Sequence, residues 1–375
     1  MDWKLRPDLW WNTVDGVRSG IQVKGWERGS TRHIQREVDT GVWIATRWPD
    51  HPVSYRVRWS EPFPGWTGRQ SGGSIGITSL HRVGIRTHGV SLTGRWNRPM
   101  RDTPLLELRL RYDWLRQTDP GYRLYPQRWQ SDWNERLIVE IDWQSRPGGP
   151  IWQSMNAGVY HQFRGDSFQG GDVRWTVRTD KTAQWGLESV FRFGTIGSSA
   201  RPEFRYGIQS GQALRLLEDP LWRARGTLPP SGVGSGFLQP YGGFFRGYGK
   251  QESDLWSSGE RPLWRHQTGA EWRVWTPNPV QHALQNIDSV REFMTFRTHL
   301  FLTSGYLGGG TTTLGNGWFH EGGGGVEWRF QVPDSHTGFR GFSIRYDLPV
   351  WLSRPGEEKA VQFRHVLGIQ GSFDL

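Results

Sequence analysis

The chain has 375 residues, a formal net charge of +10, 24 tryptophans, 50 glycines and no cysteine. No run approaches the roughly 18–20 consecutive apolar residues of a membrane helix, so a helical membrane protein is excluded. The lack of cysteine also excludes disulfide frameworks and thiolate metal sites. Two classes of protein remain, a soluble all-β protein and a membrane β-barrel.

The mean hydropathy of −0.66 is that of a soluble protein, but lipid-facing and lumen-facing residues of a transmembrane barrel cancel in such an average. The positive charge favours contacts with acidic lipid head groups or acidic substrates, or arginines paired with carboxylates in a polar lumen. Residues 1–7 lack the apolar core of a signal peptide. Since an exported barrel needs such a peptide, we expect this sequence to be a mature form or part of a longer protein.

One pattern recurs along the chain: apolar residues alternate with charged or polar residues. Side chains alternate across a strand, so each such segment has one apolar and one ionic face. In chain order the pattern occurs at residues 55–59, 106–114, 137–143, 173–178, 185–193, 271–274, 326–332, 342–348 and 361–375. Turn residues separate the segments at 48–50, 146–150, 277–279, 333–335 and 354–356.

These segments predict an all-β fold, a closed antiparallel transmembrane β-barrel of about 16 strands with up-and-down connectivity. Apolar residues would meet lipid and charged residues would line the lumen. No break in composition marks a second domain, so residues 1–375 are predicted to form a single outer-membrane β-barrel domain. The many tryptophans at strand ends are typical of the aromatic girdles of such barrels. The alternative is a soluble Trp-rich protein that binds glycans.

A long connection interrupts the hairpin rhythm at about residues 226–262, where prolines and glycines are frequent. A loop of this length in a compact fold is usually functional or disordered. Its aromatic residues argue against disorder. We therefore expect a loop that folds into the lumen and plugs it.

Within this loop, the motif Phe245-Arg246-Gly247-Tyr248 resembles the signature of one superfamily. It comprises the outer-membrane assembly factors and two-partner-secretion transporters, also called bacterial surface antigen barrels. In that family, the Arg-Gly-aromatic motif lies at the tip of the sixth outer loop, which dips into a sixteen-stranded barrel. Glu271, in the strand that follows the loop, resembles the family's inward-facing Glu.

Further along, Phe301, Thr303 and Gly305 stand where the family carries Phe-x-Asp-x-Gly. Thr303 replaces the aspartate, so the resemblance leaves Glu271 as the partner of Arg246; a buried guanidinium without a carboxylate would be costly. Residues 344–349 and 366–373 resemble the closing hairpin. This C-terminal strand contains Phe373 and ends at Leu375, where the family usually has an aromatic residue. Residues 11–16 resemble the approach to the family's first strand.

The resemblance implies a non-enzymatic protein of the bacterial outer membrane, either a transporter-like pore or a membrane anchor for polypeptide. Its expected partners are outer-membrane lipids and a polypeptide client or other outer-membrane or periplasmic subunits. Nucleic acid, cofactors and metals are not expected. Family transporters carry client-receiving periplasmic repeats ahead of the barrel, and a similar barrel anchors some large surface peptidases of Gram-negative bacteria. An anchor for a peptidase is therefore an alternative.

A barrel-embedded lipid hydrolase is the remaining alternative. Residues 72–76 formally match a nucleophile elbow, although nothing around them predicts the strand–turn–helix that this motif needs. His81, His88 and His161 are the candidate bases, and lining a polar lumen is the more common role of such residues. The glycine runs at 308–310 and 322–325 lack the Lys-Ser/Thr of a phosphate-binding loop, and they indicate turns, bulges or close backbone approach.

Overall fold

The computed structural model describes most of the chain. The described residues are 2–12, 16–28, 35–47, 51–67, 71–82, 84–96, 105–118, 131–145, 150–179, 186–201, 204–208, 237–238, 245–249, 251, 264–276, 278, 280, 283, 293–310, 313–334 and 338–372. They fall into two compact units. Unit 1 takes them from Met1–Trp175 and Gly194–Phe204, and unit 2 from Thr176–Phe193, Arg205–Leu216 and Pro230–Leu375.

Unit 1 is an antiparallel meander in which each strand pairs with the next. Its strands are β1 (Asp2–Asn12), β2 (Gly16–Arg28), β3 (Gln35–Ala45), β4 (Val53–Thr67), β5 (Ser71–Arg82), β6 (Ile85–Trp96), β7 (Leu105–Gln117), β8 (Asn134–Gln144) and β9 (Ile151–Gln162). Two further strands, β10 (Phe168–Thr179) and β11 (Gly186–Ile196), contribute residues to both units.

Unit 2 continues with β12 (Phe237–Leu238), β13 (His266–Thr276), β14 (Met294–Gly308), β15 (Gly317–Asp334), β16 (Gly338–Leu352) and β17 (Val366–Ser372). Strands β13 to β17 pair in order and antiparallel, while the two-residue β12 runs parallel to β17. The described chain thus has an all-β antiparallel fold with sixteen strands of seven residues or more. Closure of the strands into a barrel stays a prediction.

Burial along the strands is the reverse of that in a soluble sheet. In β7, Glu107 and Asp113 are 8% and 3% exposed, whereas Leu108 and Leu110 are 37% and 44% exposed. Strand β14 of unit 2 shows the same alternation. We call the buried, largely polar face the inner face and the exposed, apolar face the outer face.

The strands differ from the sequence prediction in several places. Residues 11–16 do not lead into a first strand, because β1 precedes them; its Pro7 pairs with Ile21. Of the turn expected at 333–335, Pro333 and Asp334 belong to β15, and residue 335 lies outside the described residues. The glycines at 322–325 form part of β15, and the register shift between Gly322 and Gly323 agrees with the bulge that the sequence allowed there. No helix in the described ranges is long and apolar enough to cross a membrane.

Candidate functional site

The motif at Phe245–Tyr248 packs onto the inner face of unit 2. The side chains of Phe245, Arg246 and Tyr248 are almost completely buried. Around them lie side chains from the neighbouring strands β13, β14, β15 and β16. Of the loop predicted at 226–262, residues 237–238, 245–249 and 251 are described, and the rest lies outside the described residues.

Arg246 forms ion pairs with three carboxylates on three different strands. Its Nη2 lies 2.5 Å from Glu271 Oε2, its Nε 2.9 Å from Asp347 Oδ2, and its Nη1 3.5 Å from Glu321 Oε1. The guanidinium carbon also lies 4.2 Å from the centroid of the Phe301 ring, within the range of a cation–π interaction. The Arg246 side chain therefore links β13, β14, β15 and β16.

Glu321 binds the backbone of the motif as well as the Arg246 guanidinium. Its two carboxylate oxygens accept hydrogen bonds from the backbone N–H groups of Arg246 (3.1 Å) and Gly247 (2.8 Å). Thr303 Oγ1 donates a third, at 3.4 Å. A carboxylate that accepts several charge-assisted or backbone hydrogen bonds fixes its partners in position. This is why the chain can turn at Gly247 against β15.

Gly247 has no room for a side chain. A Cβ at this position would lie 2.7 Å from Leu352 Cδ2 and 2.9 Å from Pro349 Cβ, closer than van der Waals contact allows. Gly305 has the same role on β14, where a Cβ would lie 2.7 Å from the carbonyl oxygen of Thr268 and 3.1 Å from the ring of Phe245. Each glycine admits the close approach of the loop to the strands.

An apolar cluster seals one side of the ionic site. Its members, all fully buried or nearly so, are Ile208, Phe245, Tyr248, Trp264, Leu307, Phe319 and Leu352. The Tyr248 hydroxyl donates to the carbonyl oxygen of His320 at 2.9 Å and accepts from Arg354 N at 3.3 Å. The motif is thus anchored by buried apolar area as well as by charge.

The carboxylates around Arg246 continue into a wider network on the inner face. Arg273 bridges Glu271 (2.5 Å) and Glu188 (2.9 Å), and Glu188 also pairs with Arg178. Asp347 pairs with Arg345 at 2.8 Å and accepts a hydrogen bond from His299 Nε2 at 2.9 Å. These ion pairs join four arginines (Arg178, Arg246, Arg273, Arg345) and four carboxylates (Glu188, Glu271, Glu321, Asp347).

The electrostatics of the site keep the loop arginine charged. Burial alone would lower the pKa of the Arg246 guanidinium, but Glu271, Asp347 and Glu321 outweigh it and raise that pKa above its ordinary value. Burial also raises the pKa of the Tyr248 hydroxyl, which stays protonated and able to donate. The arrangement binds the loop to the inner face of the neighbouring strands.

The structure brings together the residues that the resemblance singled out. Glu271 contacts Arg246 directly, and all three positions of the β14 motif meet the loop: Phe301 through its ring, Thr303 through Glu321, and Gly305 beneath Phe245. Phe373 and Leu375 lie outside the described residues.

Sequence reasoning missed Glu321 and Asp347. A signal for Glu321 was present, because Phe319-His320-Glu321-Gly322-Gly323 also follows the Phe-x-acid-x-Gly pattern, with Glu in place of Asp. Asp347 gave no such signal beyond its place on the polar face of a strand. The acidic partner that β14 lacks at Thr303 is thus supplied by β15.

The hydrolase candidates lie elsewhere. Residues 72–76 are part of strand β5, so they do not form the strand–turn–helix of a nucleophile elbow. Ser79 Oγ lies 2.9 Å from His88 Nδ1, and His81 contacts Thr118 at 2.8 Å. His161 stacks edge-on with Phe163. Within the described ranges, no group of three or more His, Asp or Glu side chains could hold a metal ion.

The sequence matches no known family and no curated protein, but the fold has solved counterparts. One is BamA from Haemophilus ducreyi lacking POTRA domains 1–3, with a TM-score of 0.51 and 11% identity, covering 99% of this chain and 70% of that one. Another is OccD3 (OpdP) of Pseudomonas aeruginosa, with a TM-score of 0.39 and 9% identity, covering 95% of this chain and 86% of that one. The chain therefore shares the fold of the BamA structure.

Proposed function

We propose that the protein is a bacterial outer-membrane β-barrel of the transporter or assembly type. The observation that carries this proposal is the reversed burial of its strands, with apolar outer faces and charged inner faces in both units. A protein in water would expose many apolar side chains that it could have buried, whereas lipid is a suitable solvent for them. The fold shared with BamA supports the same conclusion.

The tryptophans support a membrane location over the soluble glycan-binding alternative. Several of them are exposed on the strands, among them Trp3, Trp59, Trp175, Trp318, Trp328 and Trp351. Amphipathic aromatic rings suit the interface between lipid and water. In the proposed barrel these rings meet head groups rather than sugars.

The second part of the proposal concerns the loop. Arg246 and its three carboxylates would hold it against the lumen wall, so that the resting pore is narrowed. The protein would act without catalysis, as a pore or anchor for polypeptide, with lipids and a polypeptide client as partners. The support for this part is the burial of the whole Phe245–Tyr248 motif among inner-face side chains.

Conductance in a planar lipid bilayer tests the proposal. Arg246→Ala should release the loop and raise single-channel conductance, and an unfolded polypeptide added to the open pore should block the current in discrete events. Arg95→Ala is the matched control, because Arg95 pairs with Glu107 on the inner face of unit 1, far more exposed than Arg246. Equal conductance in the wild type and both variants would contradict the loop assignment.

A further inference from the structure

The outer face of β5–β7 changes from apolar to basic toward one end. Ile77, Val90 and Tyr112 stand opposite one another across the three strands. One row further, the neighbours are Ser79, His88 and Trp114.

In the last row, Arg86 stands between His81 on β5 and Arg116 on β7. Because residues two apart on a strand share a face, all of these residues belong to the outer face. The side chains of Arg86 and Arg116 therefore border the apolar surface that the proposed membrane would cover.

Two arginines in this patch lack a carboxylate partner. Arg86 and Arg116 are direct cross-strand neighbours, an arrangement that repels unless an anion lies between the charges. Neither forms an ion pair with any acidic side chain in the described part of the chain. Arg86 Nε is buried and has no hydrogen-bond acceptor among those residues, and Arg116 Nε donates to the carbonyl oxygen of Ser131 at 3.2 Å.

Glu135, on the strand next to β7, is engaged elsewhere. It stands opposite Trp114, and its carboxylate accepts from the Tyr112 hydroxyl at 2.7 Å and from Arg164 at 3.2 Å. It therefore pairs with Arg164 rather than with Arg86 or Arg116, and neither of these two guanidinium groups has an acidic partner among the described residues.

His88 adds a third polar group beside the arginines. Its Nδ1 is within 2.9 Å of Ser79 Oγ, which fixes the ring, and its ring centroid lies 5.6 Å from that of Trp133. The ring forms no other hydrogen bond with a described residue. Guanidinium pairs recognise phosphate oxygens by several parallel hydrogen bonds, and the apolar rows beside them suit acyl chains.

We propose that Arg86, Arg116 and His88 form a binding site for the phosphate of a membrane lipid. The inference rests on the proposed membrane location. Two neighbouring guanidinium groups beside apolar rows fit a lipid that carries phosphate next to its acyl chains. The ligand is therefore an anionic phosphorylated lipid, of the lipid A class.

Native mass spectrometry of the protein purified in a neutral detergent tests the site, with purified lipid A as the probe and phosphatidylcholine, a zwitterionic lipid without net charge, as the reference. Lipid A should bind the wild type, and Arg86→Gln and Arg116→Gln should each weaken binding at least tenfold. Arg86→Lys should retain part of the binding. Arg36→Gln is the matched control, since Arg36 is another exposed arginine of unit 1 but pairs with Glu27 and Glu61.

The outcomes are distinct. Equal lipid A binding by wild type, Arg86→Gln and Arg116→Gln, or no preference over phosphatidylcholine, would overturn the site. So would complete competition by inorganic phosphate at the lipid concentration, because a lipid site gains affinity from acyl chains. Heat-modifiable gel mobility is recorded on each sample. A wild-type protein without heat-modifiable mobility would overturn the proposed membrane barrel itself. A wild-type protein that shows this mobility but binds both lipids equally would overturn only the lipid site.

Discussion

Arg246 is a buried charge whose compensation is divided among three strands. Removing one member of a buried ion pair leaves the others uncompensated and typically costs about 3–5 kcal/mol. We therefore expect Arg246→Ala to lower the free energy of unfolding by about that amount. Urea unfolding in lipid vesicles, followed by tryptophan fluorescence, measures the change.

The control for this prediction is Arg95→Ala, which breaks an ion pair at a side chain that is about half exposed. Exposed pairs contribute about 0–1 kcal/mol, so the stability of this variant should stay close to that of the wild type. A loss for Arg246→Ala no larger than the loss for Arg95→Ala would show that the three carboxylates do not depend on Arg246.

Gly247 provides a steric test of the same site. A methyl group there would collide with Leu352 and Pro349, so Gly247→Ala should displace the motif and raise bilayer conductance as Arg246→Ala does. Gly322→Ala is the matched control, because its Cβ would meet nothing closer than 3.8 Å. Conductance that rises equally in both variants would point to the wall of the pore rather than to the loop.

At the level of single residues, the sequence predicted one acidic partner of Arg246 and missed two. Glu271 could be found because a family pattern marks it. Asp347 lies about a hundred positions from Arg246 in the sequence, and only the register of β13 to β16 brings it near. Register depends on pairing between strands, which one sequence without structure does not contain.

The positions of single strands were easier to predict than the pairing between strands. Alternation placed β4, β7, β8, β10, β11, β13, β16, the second half of β15 and β17. Side chains on a strand point to opposite faces in turn, so a strand with two unlike faces shows a period of two. Alternation did not place β1, where Pro7 interrupts the pattern; a proline argues against a central strand since it cannot donate to the ladder. The glycines at 322–325 indicated turns, bulges or close backbone approach. They lie in β15, which has a register shift between Gly322 and Gly323, and a Cβ at Gly323 would collide with the carbonyl oxygen of Leu348.

The outer face of a single strand carries the next prediction. Leu110 lies on the exposed apolar face of β7, and an arginine in the middle of a lipid-facing strand costs about 2–4 kcal/mol. Leu110→Arg should therefore reduce stability in vesicles by about that amount. Asn156→Arg is the matched control on the inner face, where the new guanidinium would lie beside Asp142, the present hydrogen-bond partner of Asn156. Equal losses in the two variants would contradict the assignment of the faces.

For the molecule as a whole, composition and alternation predicted the fold class, while the loop contacts required coordinates. An 11% identity to the BamA structure is compatible with a shared fold because the pattern of apolar and charged positions, rather than particular residues, determines which face meets which solvent. The inner network is local to unit 2, where its ion pairs connect Arg246 of the loop to three strands. We infer that it stabilises the position of the loop.

The central claim is that the outer faces meet lipid and the inner faces do not. The chain has no cysteine, so single cysteines at neighbouring positions of β7 can be labelled with a fluorophore that is sensitive to its environment. After insertion into vesicles, labels at Leu108→Cys and Leu110→Cys should be quenched by brominated lipid, and labels at Arg109→Cys and Arg111→Cys should not. Quenching that fails to alternate along β7, or a monodisperse protein in plain buffer with every label open to water, would contradict the account.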